Sequence, residues 1–121
     1  MDNLNYGVIG NCCTAALISE KGNIEWLCFP NFDSPSIFAA LLDREKGGTF
    51  GFEVSEDYHT IQSYVPHTNI LSTTFVSEQD EFAVVDFMPC YELGTILIAP
   101  ALDLLRSPFL CGPSRIIWSP V

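Results

Sequence analysis

"NILSTTFVS" at 69–77, "EQDE" at 78–81 and "FAVVDFMP" at 82–89 decide the fold class. The first run is rich in β-branched residues, which favour a pleated, half-buried surface. Four polar residues then turn the chain, and a second apolar run brings it back, so the stretch predicts a β-hairpin. Working towards the N-terminus, "CTAALIS" (13–19), "EKGN" (20–23) and "IEWLCF" (24–29) repeat the arrangement. Gly22 is free to take a positive φ in that turn. Between the two hairpins, "TFGFEV" (49–54) and "TIQSYV" (60–65) alternate as half-buried strands do. The paired glycines of "REKGGTF" mark a turn before them.

One stretch breaks the β pattern. "CFPNFDSPSIFAALLD" (28–43) carries Pro30 and Pro35, which fix φ and remove backbone donors, so neither belongs in a central strand. "PNFDSP" reads as a turn and "SIFAALLD" (36–43) as one or two helical turns. Ser34 or Ser36 caps them, and the pairs Ile37, Leu41 and Phe38, Leu42 fall at i, i+4 spacing. The expectation is therefore an all-β fold, an antiparallel β-sandwich with one short helix.

Composition bounds the functions. The 121 residues suffice for one domain with its own core. Fifteen acids against five bases give a formal net charge of −10, which repels phosphate backbones and anionic lipid. No nucleic acid and no membrane are expected as partners. No run reaches the ~20 apolar residues of a membrane span; "TILIAPALDLL" (95–105) is short and holds Pro100 and Asp103. "MDNLNYGVIG" lacks the basic start of a signal peptide, which points to the cytoplasm. The five cysteines (12, 13, 28, 90 and 111) show neither CxxC nor zinc-type spacing and read as reduced thiols.

Few residues suggest chemistry. Asp33 sits in a tight turn, where a carboxylate accepts backbone N–H bonds as an Asx-turn or cap. Its other reading is a contact to a sugar or a neighbouring domain, with Trp26 and Phe32 supplying apolar faces. Asp86 interrupts "VVDFMP" and reads as a buried, hydrogen-bonded structural group. Glycoside hydrolysis needs two carboxylates roughly 5 to 9.5 Å apart, but most acids here fall in turns, including Glu56, Asp57, Glu78 and Asp80. His59 and His67 flank one strand and need not converge. No metal site, cofactor site, phosphate loop or nucleophile elbow is evident.

Beyond residue 92 the character changes. Fourteen of the fifteen acids precede it, and four of the eight prolines follow it. This places a break near 92–95, with a sandwich domain over 1–92 and a divergent tail over 93–121.

The runs "YGVIGNCCTAALIS" (6–19), "GNIEWLCFPNFDSPSIFAALLDREKGG" (22–48), "TNILSTTF" (68–75) and "VVDFMP" (84–89) occur in one order. Together they resemble the N-terminal domain of glycoside hydrolase family 15 proteins, the bacterial and archaeal glucoamylase- and trehalase-like enzymes. The resemblance covers roughly residues 5 to 92. It implies a β-sandwich of many antiparallel strands, here a partial supersandwich, packed in the parent protein against an (α/α)6 barrel. That barrel holds the catalytic glutamates and acts on α-glucosidic bonds in starch oligomers, dextran or trehalose. No residue of this chain matches those glutamates, so the chain alone is expected to be inactive. The family pattern often has a basic residue at Cys13 and Arg at Asn31. Its Arg-rich continuation after "DFMP" is only loosely echoed in the tail, which suggests a truncated or frameshifted product. A stand-alone sandwich binding carbohydrate or protein is the alternative.

Overall fold

A computed structural model describes residues 4–89 and 114–118. Among these described residues, eight strands form two four-stranded antiparallel sheets. The first contains β1 (Tyr6–Gly10), β2 (Ala15–Ser19), β3 (Ile24–Cys28) and β4 (Ser36–Phe38), hydrogen-bonded in that order. The second contains β5 (His59–Tyr64), β6 (Leu71–Val76), β7 (Glu81–Phe87) and β8 (Ser114–Trp118), again in chain order. The all-β antiparallel reading holds.

Each tight connection has a local cause. Asn11 Oδ1 accepts the amides of Cys13 and Thr14, both at 3.0 Å, and so closes the β1–β2 turn. In the β2–β3 turn Gly22 takes φ +78°, as its sequence position predicted. Its amide donates to the Ser19 carbonyl at 2.9 Å. A Cβ at Gly22 would also lie 3.3 Å from Phe75 of the opposite sheet.

The period-2 pattern builds the core. Ile9, Ala16, Ile18, Ile24 and Leu27 of the first sheet are buried against Leu71 and Met88 of the second chain half, with Phe29 and Phe38 packed on them. Phe75 is fully buried and stacks on Phe82 at 4.7 Å between centroids. Burying one such side chain contributes about 1.5–3 kcal/mol. Along one edge the sheets are tied by polar side chains. The Tyr64 hydroxyl accepts from Val8 N and donates to Val8 O, both at 2.8 Å. Gln62 Nε2 donates to the Ser19 carbonyl at 3.0 Å and Asn69 Nδ2 to the Gly10 carbonyl at 2.8 Å. The unpaired edge of β1 is thereby covered.

Two expected elements are corrected. The helix expected over 36–43 is absent, and no helix occurs among the described residues. Ser36–Phe38 is instead the edge strand β4, with Phe38 opposite Leu27. Most donors of the run go elsewhere, Ala39 N to the Gly47 carbonyl at 2.8 Å and Leu41 N to the Glu25 carbonyl at 3.0 Å, and only a single turn closes locally, with Leu42 N and Asp43 N on the Ala39 carbonyl at 3.0 and 3.1 Å. The i, i+4 apolar face is not a buried one, since Ile37 and Leu42 remain 52% and 75% exposed. The strand expected over 49–54 reduces to a single bridge, Phe50 opposite Ile24. Conversely, β1 and β8 are strands that the alternation pattern did not single out. The expected break near 92–95 lies outside the described residues.

Candidate functional site

The β1–β2 turn and the β3–β4 loop meet at one end of the first sheet. The Phe32 amide donates to the Cys13 carbonyl at 3.0 Å, and the Thr14 hydroxyl to the Cys28 carbonyl. The Phe29–Pro30 bond is cis. The Asn31 amide donates to Ser34 Oγ at 3.1 Å, and the Ser34 amide returns to the Asn31 carbonyl at 3.1 Å. Ser34 therefore does the turn-closing work that Asp33 was a candidate for. Asp33 itself is exposed, and among the described residues its carboxylate has no hydrogen-bond or ion-pair partner. Phe32 beside it is 64% exposed.

The β5–β6 turn joins this end through Asn69. Two residues other than glycine here have left-handed backbone, Cys12 at φ 70° and His67 at φ 61°. Such conformations cost of order 1 kcal/mol or more and recur at functional sites. Cys12 and Cys13 are exposed free thiols, and Cys28 is a buried one.

Trp26 does not join Phe32 and Asp33 in the loop. It lies mid-strand on β3 opposite Leu17, half-buried on the outward face of the first sheet.

Asp86 is a structural group, as its setting in β7 suggested. It is fully buried and lies opposite Arg115 of β8. Arg115 Nε meets Oδ1 at 2.6 Å and Nη2 meets Oδ2 at 3.1 Å. The same guanidinium donates to the Phe50 carbonyl at 2.9 Å and to the Gly22 carbonyl, and lies 5.1 and 5.0 Å from the rings of Phe50 and Phe52. One side chain thus clamps the second sheet to loops of the first. Burial raises the Asp86 pKa, while the hydrogen bonds and charge of Arg115 pull it down. A bidentate guanidinium pair occupies both oxygens, which leaves that carboxylate no free edge for a substrate.

His59 opens β5 and His67 lies in the turn beyond its other end, so the two imidazoles do not converge. Among the described residues no three His, Cys, Asp or Glu side chains gather as a metal site would require. At the end of the second sheet remote from Asp33, an open acidic cleft of about 780 Å³ holds Tyr58, Ser77 and Asp80. The Tyr58 hydroxyl donates to Asp80 Oδ1 at 2.5 Å, and the Ser77 hydroxyl donates to the same oxygen at 2.8 Å. The Tyr58 bond, then the Ser77 bond, hold Asp80 below its ordinary pKa, while the bond to Asp80 raises that of Tyr58.

Sequence reasoning passed over Glu25. Its carboxylate is almost buried, accepts the Tyr6 hydroxyl at 2.5 Å and pairs with Arg44 Nη1 at 3.5 Å. The available signal was an acid inside an otherwise apolar strand, "IEWLC".

The fold and its loop-bearing end define a small antiparallel sandwich domain without a catalytic constellation among its described residues. The sequence model of the trehalase-like N-terminal domain matches residues 5–98, and the chain belongs to that family. Similar proteins include the trehalase of Thermoplasma volcanium, 42% identical over 94 residues, covering 75% of this chain and 15% of that protein. Trehalase 1 of Sulfolobus acidocaldarius is 48% identical over 92 residues, covering 74% and 16%. The trehalase of Mycolicibacterium smegmatis is 37% identical over 98 residues, covering 75% and 14%. The chain spans about a seventh of the length of the curated relatives it matches. No solved structure matches it significantly. No helix among the described residues is long and apolar enough to cross a membrane.

Proposed function

We propose that this chain is the non-catalytic N-terminal sandwich of a glycoside hydrolase of family 15, glucoamylase- or trehalase-like, that acts on α-glucosidic bonds in carbohydrate metabolism. Chemistry belongs to an (α/α)6 catalytic domain in the parent protein, which meets trehalose or an α-glucan. The observation that carries this reading is the match over residues 5–98 to a trehalase-like N-terminal family, with relatives named trehalases extending far beyond it. The carboxylates support it: Glu25 and Asp86, the acids buried among the described residues, are each paired with an arginine.

In this reading residues 1–92 form the body of the domain, and 93–121 are a divergent tail that contributes β8. Phe32 and Asp33 are the contact to the catalytic domain, because they are exposed, adjacent and held on a loop with left-handed neighbours. Trp26 serves the outward face of the sheet. The free thiols favour a reducing compartment, the cytoplasm.

The test is to incubate the purified chain with trehalose and maltooligosaccharides and measure released glucose. No release above buffer is the expected result; turnover abolished by substituting one carboxylate would overturn the reading. A stand-alone carbohydrate-binding module remains the second reading, favoured by the outward face of the first sheet.

A further inference from the structure

The register between β2 and β3 shifts within the outward face. Leu17 lies opposite Trp26 and Ile18 opposite Ile24, so Glu25 is an extra residue with no cross-strand partner. A bulge of this kind re-aims the side chain of its extra residue. Here it brings the Glu25 carboxylate to Tyr6, whose cross-strand partner is Ser19 on the neighbouring strand. An open groove of about 430 Å³ covers this group, and Asn5, Glu20, Lys21 and Arg44 also line it. Beside it, Val8, Leu17 and Trp26 lie opposite one another across β1, β2 and β3 and form an apolar row.

We propose that this face is a binding site for a neutral saccharide, a glucosyl unit or a short α-linked glucoside. A pyranose presents hydroxyls at its rim and C–H groups on its faces. Its hydroxyls donate and accept, whereas a carboxylate only accepts and guanidinium and ammonium groups only donate, so a mixed cluster satisfies adjacent hydroxyls. Glu25 accepts and Arg44, Lys21 and Asn5 donate, while the Trp26 row meets the C–H face. The charge balance selects against ions. Among the described residues that line the groove, Glu20 and Glu25 stand against Lys21 and Arg44, so their formal charges balance within a chain of net charge −10. Two of the five cations of the chain are gathered here. The Tyr6 bond fixes the Glu25 carboxylate before any ligand arrives, which lowers the ordering cost of binding. The volume lies in the range of small-molecule sites.

The inference rests on the reading that the chain comes from a carbohydrate-acting protein. The test is an amide NMR titration of the full chain with glucose, trehalose and maltose. Saturable shifts centred on Tyr6, Glu25, Trp26 and Arg44 are expected, with a Kd on the order of millimolar for so few contacts. Arg44→Met, at a side chain 56% exposed, should leave the spectrum folded and weaken binding about tenfold, as should Glu25→Gln. If Glu25→Gln fails to fold, Arg44→Met decides. The site is refuted if no sugar gives a saturable shift, if the shifts map elsewhere, or if Arg44→Met binds as the parent does. Glucose release measured in the same trehalose and maltose tubes separates the two ideas, because turnover would sink the non-catalytic reading whichever face the sugar shifts.

Discussion

Replacing Arg115 with Met tests the clamp that joins the two sheets. The substitution keeps an apolar stem of similar length and removes both contacts to Asp86, at 2.6 and 3.1 Å. It also removes the donors to the Phe50 and Gly22 carbonyls and the cation held over two rings. Asp86, with no exposed surface, is left as an uncompensated buried charge. Breaking one side of a buried pair costs about 3–5 kcal/mol. A domain of this size has a total of about 5–15 kcal/mol, so urea unfolding at neutral pH should show a large fall in midpoint. Acid should shrink the deficit. The folded-state pKa of Asp86 already lies above its ordinary 3.8 because of burial, against the pull of Arg115. Without Arg115 it rises further. A carboxyl whose folded pKa is raised loses stability as pH climbs from the unfolded value through the folded one. That window is wider in the variant, so the gap between variant and parent is greatest near pH 7 and narrows towards pH 4. The double variant Asp86→Leu, Arg115→Met should recover most of the loss, since no charge is then stranded. A loss below about 1 kcal/mol, or one independent of pH, would refute the clamp.

Three further outcomes are expected. Phe75→Ala removes a fully buried ring stacked on Phe82 and should cost about 3–5 kcal/mol in denaturant unfolding; a loss near zero would contradict the packing between the sheets. Tyr58→Phe removes the largest influence holding the Asp80 pKa down, so carboxyl NMR should show that pKa rising towards 3.8. Because the folded pKa is depressed, the stabilisation from Asp80 is present above 3.8 and fades as pH falls through the folded value; the variant loses the part that depends on Tyr58. Asp33→Asn should leave stability within about 0.5 kcal/mol, because the exposed carboxylate holds nothing within the domain; a clear drop in the unfolding midpoint would restore the turn-closing role to Asp33.

The sequence by itself determined the β character, the two hairpins and the family. The β-branched run 69–77, the polar turn 78–81 and the apolar return 82–89 admit few other readings, because such residues favour a pleated, half-buried surface and the turn between them closes a hairpin. Gly22 in "EKGN" is a turn residue for a similarly local reason. Asp86, a lone acid in a β-branched run, was legible as a buried structural group, but its partner was not. Arg115 is 29 positions away and reaches Asp86 only because β8 adds to β7. The short run "SIFAALLD" was misread because i, i+4 spacing in eight residues does not distinguish a helix from an edge strand followed by a turn. Carbonyls of Gly47, Gly48 and Glu25, all outside the run, took the amides of Ala39, Ala40 and Leu41, and only the amides of Leu42 and Asp43 turn back within it, to the Ala39 carbonyl. Glu25 shows the same limit. Alternation assigns each residue to a face, and only a bulge, set by pairing with β2, turned Glu25 to meet Tyr6 and Arg44. Local propensity fixes which segments become strands; register and long-range pairing decide which polar side chains meet.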